Sequence, residues 1–309
     1  MGKTIKRLPI PITGLMLALA SLGNLVLSYG NIYRNIFGIL SATLLVLIIL
    51  KITKHPEVVA EELENPVVAS TFPTLSMGIM LISTYIVQFS SSIACGVWVI
   101  GLVLHVILAI IFTIKYVFNF NIKKVFPSWF IVYVGIVVGS VTAPTFQLEN
   151  IGKGLFWFGL ITYTILIPIV IKRVLIVKEI PEPALPTLII FAAPASLCLA
   201  GYLSSFQEKN MILFTILLVV SQFTYLLTLV QLTKLLKLKF YPSYAAFTFP
   251  LVISAISIKL ANGFLTSSGI SILFLNYVVK FEEILAIVIV LYVLVRYVQG
   301  NGRKVLLHI

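Results

Sequence analysis

The sequence predicts an all-α membrane protein whose ten transmembrane helices form five helical hairpins. Three observations predict this class. Of 309 residues, 60% are hydrophobic and only 10% are charged, whereas a soluble domain needs roughly 25% charged residues to cover its core. The apolar residues fall in continuous runs near the roughly 20 residues that a helix needs to cross a bilayer. They lack the in-out alternation of a lipid-facing strand, which favours helices over a barrel. Lastly, proline precedes or opens every second run, as Pro9, Pro66, Pro127, Pro186 and Pro242, at spacings of 57, 61, 59 and 56. A repeat of that period is a hairpin repeat.

The ten runs follow in order. Run 12–29 stands behind Lys3, Lys6, Arg7 and Pro9. Its Ala18-Leu19-Ala20 imitates a signal-peptide cleavage site, but the apolar stretch continues through Leu27, so an uncleaved first helix is expected. Run 36–52 closes on Lys51 and Lys54, run 67–89 opens behind Pro66, and run 93–114 stops at Lys115. The shortest, 128–143, follows Pro127, and 154–171 ends on Lys172 and Arg173. Run 187–206 follows Pro186, 211–235 precedes Lys237, 243–261 follows Pro242, and 274–295 ends on Arg296. The hairpins are therefore 8–54, 66–118, 127–175, 186–237 and 242–298, within one transmembrane domain, 1–309, and no soluble domain.

Orientation follows from the cations. One set of alternate connections holds 17 of the 22 Lys and Arg, including Lys51, Lys54, Lys115, Lys123, Lys124 and Lys178. The other holds only Arg34, Lys153, Lys209, Lys259 and Lys280. Positive charge gathers on the cytoplasmic side, so both termini are expected there, in a plasma or inner membrane. The net charge of +12 thus reads as membrane address. No basic stripe with interleaved aromatics points to nucleic acid.

A second proline marks the odd runs. Pro73, Pro194 and Pro250 lie seven or eight residues after the first, and Gly135 takes that offset in the fifth run. Proline two turns into a helix removes a backbone hydrogen bond and bends the axis. Membranes tolerate this where protein or a wet cavity satisfies the freed carbonyl. The odd helices are expected to line such a cavity, and the even ones to face lipid. Thr13, Gly14, Phe72, Pro73, Gly135, Phe191, Pro194, Thr248 and Pro250 are the candidate lining residues. Hydroxyls in spanning helices usually bond to their own backbone, yet five such helices could form a weakly polar conduit. Thr-Phe-Pro occurs twice, at 71–73 and 248–250, and Phe191 stands three residues before Pro194. A phenyl ring beside a kink can form a hydrophobic constriction that excludes water and ions.

The chain contains ten Glu and no Asp. No carboxylate is expected mid-membrane, which disfavours proton coupling. Glu282 and Glu283 beside Lys280, and the cluster Glu57, Glu61, Glu62 and Glu64, are expected to be solvated. Lys259 is expected at the external mouth. His105 is expected to pack through hydrogen bonds, and Cys95 and Cys198 to be small core residues. His55, His105 and His308 show no metal-ligand spacing. Without a phosphate loop or nucleophile elbow, neither an enzyme nor a cofactor is indicated.

Several motifs, in order, resemble the tellurite-resistance/dicarboxylate transporter family, which includes TehA proteins, the yeast malic acid permease and guard-cell slow anion channels. They are Pro11-Ile12-Thr13-Gly14, Asn65-Pro66-Val67, Pro127-Ser128, Ala193-Pro194-Ala195 with Gly201-Tyr202-Leu203-Ser204, and Ala246-Phe247-Thr248-Phe249-Pro250. The resemblance implies five hairpins in quasi-fivefold arrangement, odd helices around a central pore, a homotrimer with one pore per subunit, and anion transport. It places the family's gating phenylalanine at Phe249. One departure is Leu17-Ala18-Leu19-Ala20, where family members often carry glycines. The expected function is a passive channel for small inorganic anions such as chloride and nitrate. The alternatives are a C4-dicarboxylate secondary transporter and a tellurite-resistance exporter.

Overall fold

The computed structural model describes residues 5–306, with side chains through residue 300. Lys3 and His308 fall outside the described residues, as do the side chains of Arg303 and Lys304. All regular structure among the described residues is helical. Among the described residues nine segments are long and apolar enough to cross a membrane: α1 (Ile12–Tyr29), α2 (Asn31–Lys54), α3 (Pro66–Ile86), α4 (Ser91–Val117), α5 (Trp129–Phe146), α6 (Glu149–Val177), α7 (Glu182–Ser205), α8 (Met211–Leu235) and α9 (Pro242–Ser267). A further helix, α10 (Leu273–Leu306), occupies the tenth run. The chain is an all-α membrane protein. α2 starts earlier than its apolar run because Gly30, at φ 137°, reverses the chain directly after α1, a conformation open to glycine alone.

The breaks in the odd segments lie where the prolines predict them. α3 is interrupted between Thr71 and Thr74, and α5 tightens to 3-10 geometry at Val134–Ile136, around Gly135. α7 is 3-10 from Glu182 to Ala192 and α-helical from Ala193. α9 changes from 3-10 to α-helix at Phe249. Hydroxyls satisfy the carbonyls near these breaks. Thr74 donates to the Thr71 carbonyl at 2.7 Å, Ser76 to Pro73 at 2.7 Å, Ser196 to Ala192 at 2.7 Å and Thr248 to Ala245 at 2.6 Å. A break in an apolar phase persists only with such partners. These hydroxyls therefore serve the backbone at the breaks.

The odd segments pack on one another in a closed circuit: α1 touches α3 and α9, α3 touches α5, α5 touches α7, and α7 touches α9. Each even segment lies against the odd one before it. In the most apolar stretch of each odd segment 67–83% of residues are buried, against 17–33% in α2, α4, α6 and α8, which separates an inner layer from a lipid-facing outer one. Gly101 lets α4 approach α3 closely, since a Cβ there would lie 3.0 Å from the Met80 nitrogen and 3.1 Å from the Ser76 carbonyl oxygen. Backbone atoms cannot step aside. Gly101→Val is accordingly expected to destabilise the fold by about 1–3 kcal/mol, read as a lower unfolding midpoint in detergent.

His105 is fully buried, with its ring nitrogens 2.9 Å from Ser76 Oγ and 3.1 Å from the Val132 carbonyl oxygen. It ties α4 to α3 and α5, a packing role. The glutamate cluster after α2 is not uniformly solvated, because Glu62 accepts from the Ile10 backbone N–H and pairs with buried Lys51. Lys51 also donates to the Leu8 carbonyl at 2.6 Å. Glu62 thus anchors the approach to α1, and the apolar residues around Lys51 leave its charge no other counter-ion.

Candidate functional site

Two cavities lie within the circuit of odd segments. The narrower, about 50 Å³, opens among the first turns of α1, α3, α5, α7 and α9. Its walls include Gly14, Gly135, Pro194 and Pro250, and its hydroxyls are those of Thr71, Thr74, Thr187 and Ser243. The wider, about 330 Å³, is lined by the later turns of the same segments and by Arg34 of α2. Phe249 and Leu197 are the residues common to both cavities. Both are buried, Phe249 at 6% exposure and Leu197 at 2%, and each contributes to the wall of both chambers.

The wall of each chamber follows helical periodicity. On α9, Ala245, Ala246, Phe249, Ile253, Ile256 and Leu260 recur at three- and four-residue steps, and on α3 Val67, Thr71, Thr74, Met77, Leu81 and Thr84 do the same. One face of each segment therefore points inward. That phase sorts the candidates from the sequence. Gly14, Gly135, Pro194, Phe249 and Pro250 line the cavities; Thr13, Phe72, Pro73, Phe191 and Thr248 line neither. Thr13 donates instead to the Ile10 carbonyl at 2.9 Å and accepts from Thr74 at 2.7 Å. Phe191 stands one position after the inward Ile190 and packs on Phe130, with ring centroids 5.7 Å apart.

The two Thr-Phe-Pro tripeptides also diverge. In α9 the helix restarts at Phe249 itself, after Thr248 as cap, whereas in α3 it restarts at Thr74, after Pro73 as cap. Relative to the restart, Phe72 is two positions earlier than Phe249. At about 100° per residue that offset turns the Phe72 ring into the protein core, where it is 8% exposed.

Charge placement requires three corrections. Glu282 and Glu283 are not solvated; both are buried in α10. Lys259 does not offer its charge to either cavity. Its ammonium lies 3.0 Å from Glu283 and donates to the Leu25 carbonyl at 2.9 Å and the Ser28 hydroxyl at 2.8 Å. The Tyr29 hydroxyl also donates to Glu283, at 2.8 Å. The expectation of no carboxylate within the helices fails at Glu282 as well. Its carboxylate lies beside Ser254, Gln222 and Tyr225, behind α9, and lines neither cavity. Neither carboxylate oxygen is hydrogen-bonded.

Leu197 and Arg34 are among the lining residues that the sequence reading did not single out. Leu197 is one leucine among many, and only the α-helical phase that begins at Ala193 brings it opposite Phe249. Arg34 was counted as one of the five cations on its side of the membrane, although it stands in the wider cavity. Among the described residues, no group of three or more His, Cys, Asp or Glu is placed to hold a metal ion.

A protein-family model described as a voltage-dependent anion channel matches residues 8–298. No curated protein matches the chain.

Proposed function

Because the chain belongs to the SLAC1 family of voltage-dependent anion channels, which also includes TehA-like transporters and plant slow anion channels, we propose that it is an anion-selective channel closed at Phe249. The two cavities are the halves of its conduction path. The observation that carries this reading is the sharing of Phe249 and Leu197 by both chambers. An apolar plug between aqueous vestibules blocks ions because neither side chain can replace their hydration. Small inorganic anions such as chloride and nitrate are the expected permeants, since neither cavity presents a carboxylate to repel them. The same reading takes ten spans in five quasi-fivefold hairpins, both termini in the cytoplasm of a plasma or inner membrane, and a homotrimer with one path per subunit.

Reversal potentials in planar bilayers under chloride and nitrate gradients test the proposal. Values that track the anion gradient are expected, and values that track the cation gradient would refute it. Leu197→Ala is expected to raise anion current by less than Phe249→Ala does, because it removes the smaller half of the plug. In the double variant the gain should fall short of the product of the single gains, as for two groups that block one opening.

Buried Glu282 favours a second reading, a proton-coupled C4-dicarboxylate transporter. Glu282 is a membrane carboxylate of the kind that proton carriers use, although it lies outside both cavities. Saturable malate uptake into proteoliposomes that follows an imposed pH gradient would support this reading over the channel.

A further inference from the structure

We propose that Arg34 is an anion-capture residue in the wider cavity, where, with the hydroxyls of Ser21 and Ser204, it binds a small monovalent anion next to the Phe249 plug. The proposal deepens the channel reading and rests on it for its role in conduction. Among the described residues Arg34 is the only charged side chain on the wall of this cavity, and Phe249 is part of the same wall.

The guanidinium is held in place without being neutralised. Its Nε donates to Asn24 Oδ1 at 3.0 Å and its Nη2 to the Thr84 carbonyl at 2.8 Å. Its carbon lies 4.3 Å from the centroid of the Tyr85 ring. Tyr85 is fixed in turn: its ring rests on Gly38, where a Cβ would lie 2.5 Å from Cε1, and its hydroxyl donates to the Ala20 carbonyl at 2.6 Å. All these partners are neutral. None of the ion pairs among the described residues includes Arg34, and Nη1 makes no hydrogen bond there. Lys51 and Lys259, by contrast, each carry a carboxylate partner.

The remaining donors suit an anion. The Ser21 hydroxyl from α1 and the Ser204 hydroxyl from α7 line the same cavity, and neither has a hydrogen-bond partner among the described residues. Two neutral O–H donors and one fixed cation match a single negative charge. A dianion would remain half unneutralised. Lys259, the cation expected at the mouth from sequence, is by contrast already matched by Glu283.

Two measurements test the site. In a Phe249→Ala background, Arg34→Gln is expected to lower chloride conductance about fivefold or more at about 10 mM salt. The difference should largely vanish near 1 M, where the Debye length has fallen from about 30 Å to 3 Å. Arg34→Lys should retain most of the conductance, and Lys280→Gln, at an exposed position, all of it. Ser204→Glu leaves Arg34 and its bonds intact but adds a counter-charge to the cavity. It should reproduce the loss, which covers the case in which Arg34→Gln does not fold.

The second measurement is independent of conduction: nitrate should raise the unfolding midpoint of the otherwise unmodified protein by about one degree or more over equimolar gluconate. Arg34→Gln and Ser204→Glu should abolish that rise. Conductance and nitrate shifts unchanged in both variants would overturn the site. A Phe249→Ala protein that passes no current would overturn the channel reading instead, and the nitrate shift would then decide on Arg34 alone.

Discussion

Phe249→Ala is expected to raise anion current about tenfold or more, the change produced by lowering a barrier by about 1.4 kcal/mol. In the proposed path Phe249 is the larger of the two side chains that line both cavities, and alanine would leave Leu197 as the remaining one. Among the described residues no ring stacks on Phe249, so a rotamer change of this side chain breaks no aromatic pair. The measurement is single-channel or macroscopic current in bilayers, normalised to protein incorporated. An unchanged or smaller current from a well-folded variant would show that the barrier lies elsewhere. Phe72→Ala and Phe191→Ala are the matched controls. Both rings belong to the core packing outside the cavities, so they should alter stability more than current.

Lys259→Met is expected to destabilise the protein by about 1–3 kcal/mol, less than the cost of breaking a fully buried ion pair because the Lys259 side chain is 34% exposed while Glu283 is buried. Glu283 is 3% exposed, and without the ammonium it would keep only the Tyr29 hydroxyl as a donor. The double variant Lys259→Met/Glu283→Leu should recover much of that loss, since replacing both charges with apolar groups removes the desolvation cost together with the attraction. Thermal unfolding in detergent checks both statements. The double variant also separates the two cations on this face. Because Lys259 is matched and lies outside both cavities, its removal with Glu283 should leave the reversal potential unchanged. A large shift would restore Lys259 as a selectivity charge.

The breaks were legible in the sequence because proline acts locally: it removes its own N–H and fixes its own φ wherever it stands. Pro73, Gly135, Pro194 and Pro250 therefore marked the irregular turns of α3, α5, α7 and α9. The direction of each ring at those turns was not legible. Thr-Phe-Pro reads identically at both places, and only the residue at which each helix restarts turns Phe249 inward and Phe72 away. Charge pairing between segments was hidden for a similar reason. Glu283 is 24 residues from Lys259 and 254 from Tyr29, and no local pattern announces such a contact.

From sequence alone came the membrane class, the runs that become helices, the sites of their breaks and the aromatic candidate Phe249. The first three depend on composition or on a backbone rule that acts within one or two turns, whereas Phe249 was singled out by the resemblance of its motif to the family's ninth helix. Tertiary structure decided which face of each segment points inward, that Leu197 joins Phe249 on the walls of both cavities, that Glu282 and Glu283 are buried, and that Arg34 rather than Lys259 lines the wider cavity. Those outcomes depend on how the segments rotate against one another, and rotation is set by packing among residues far apart in the chain.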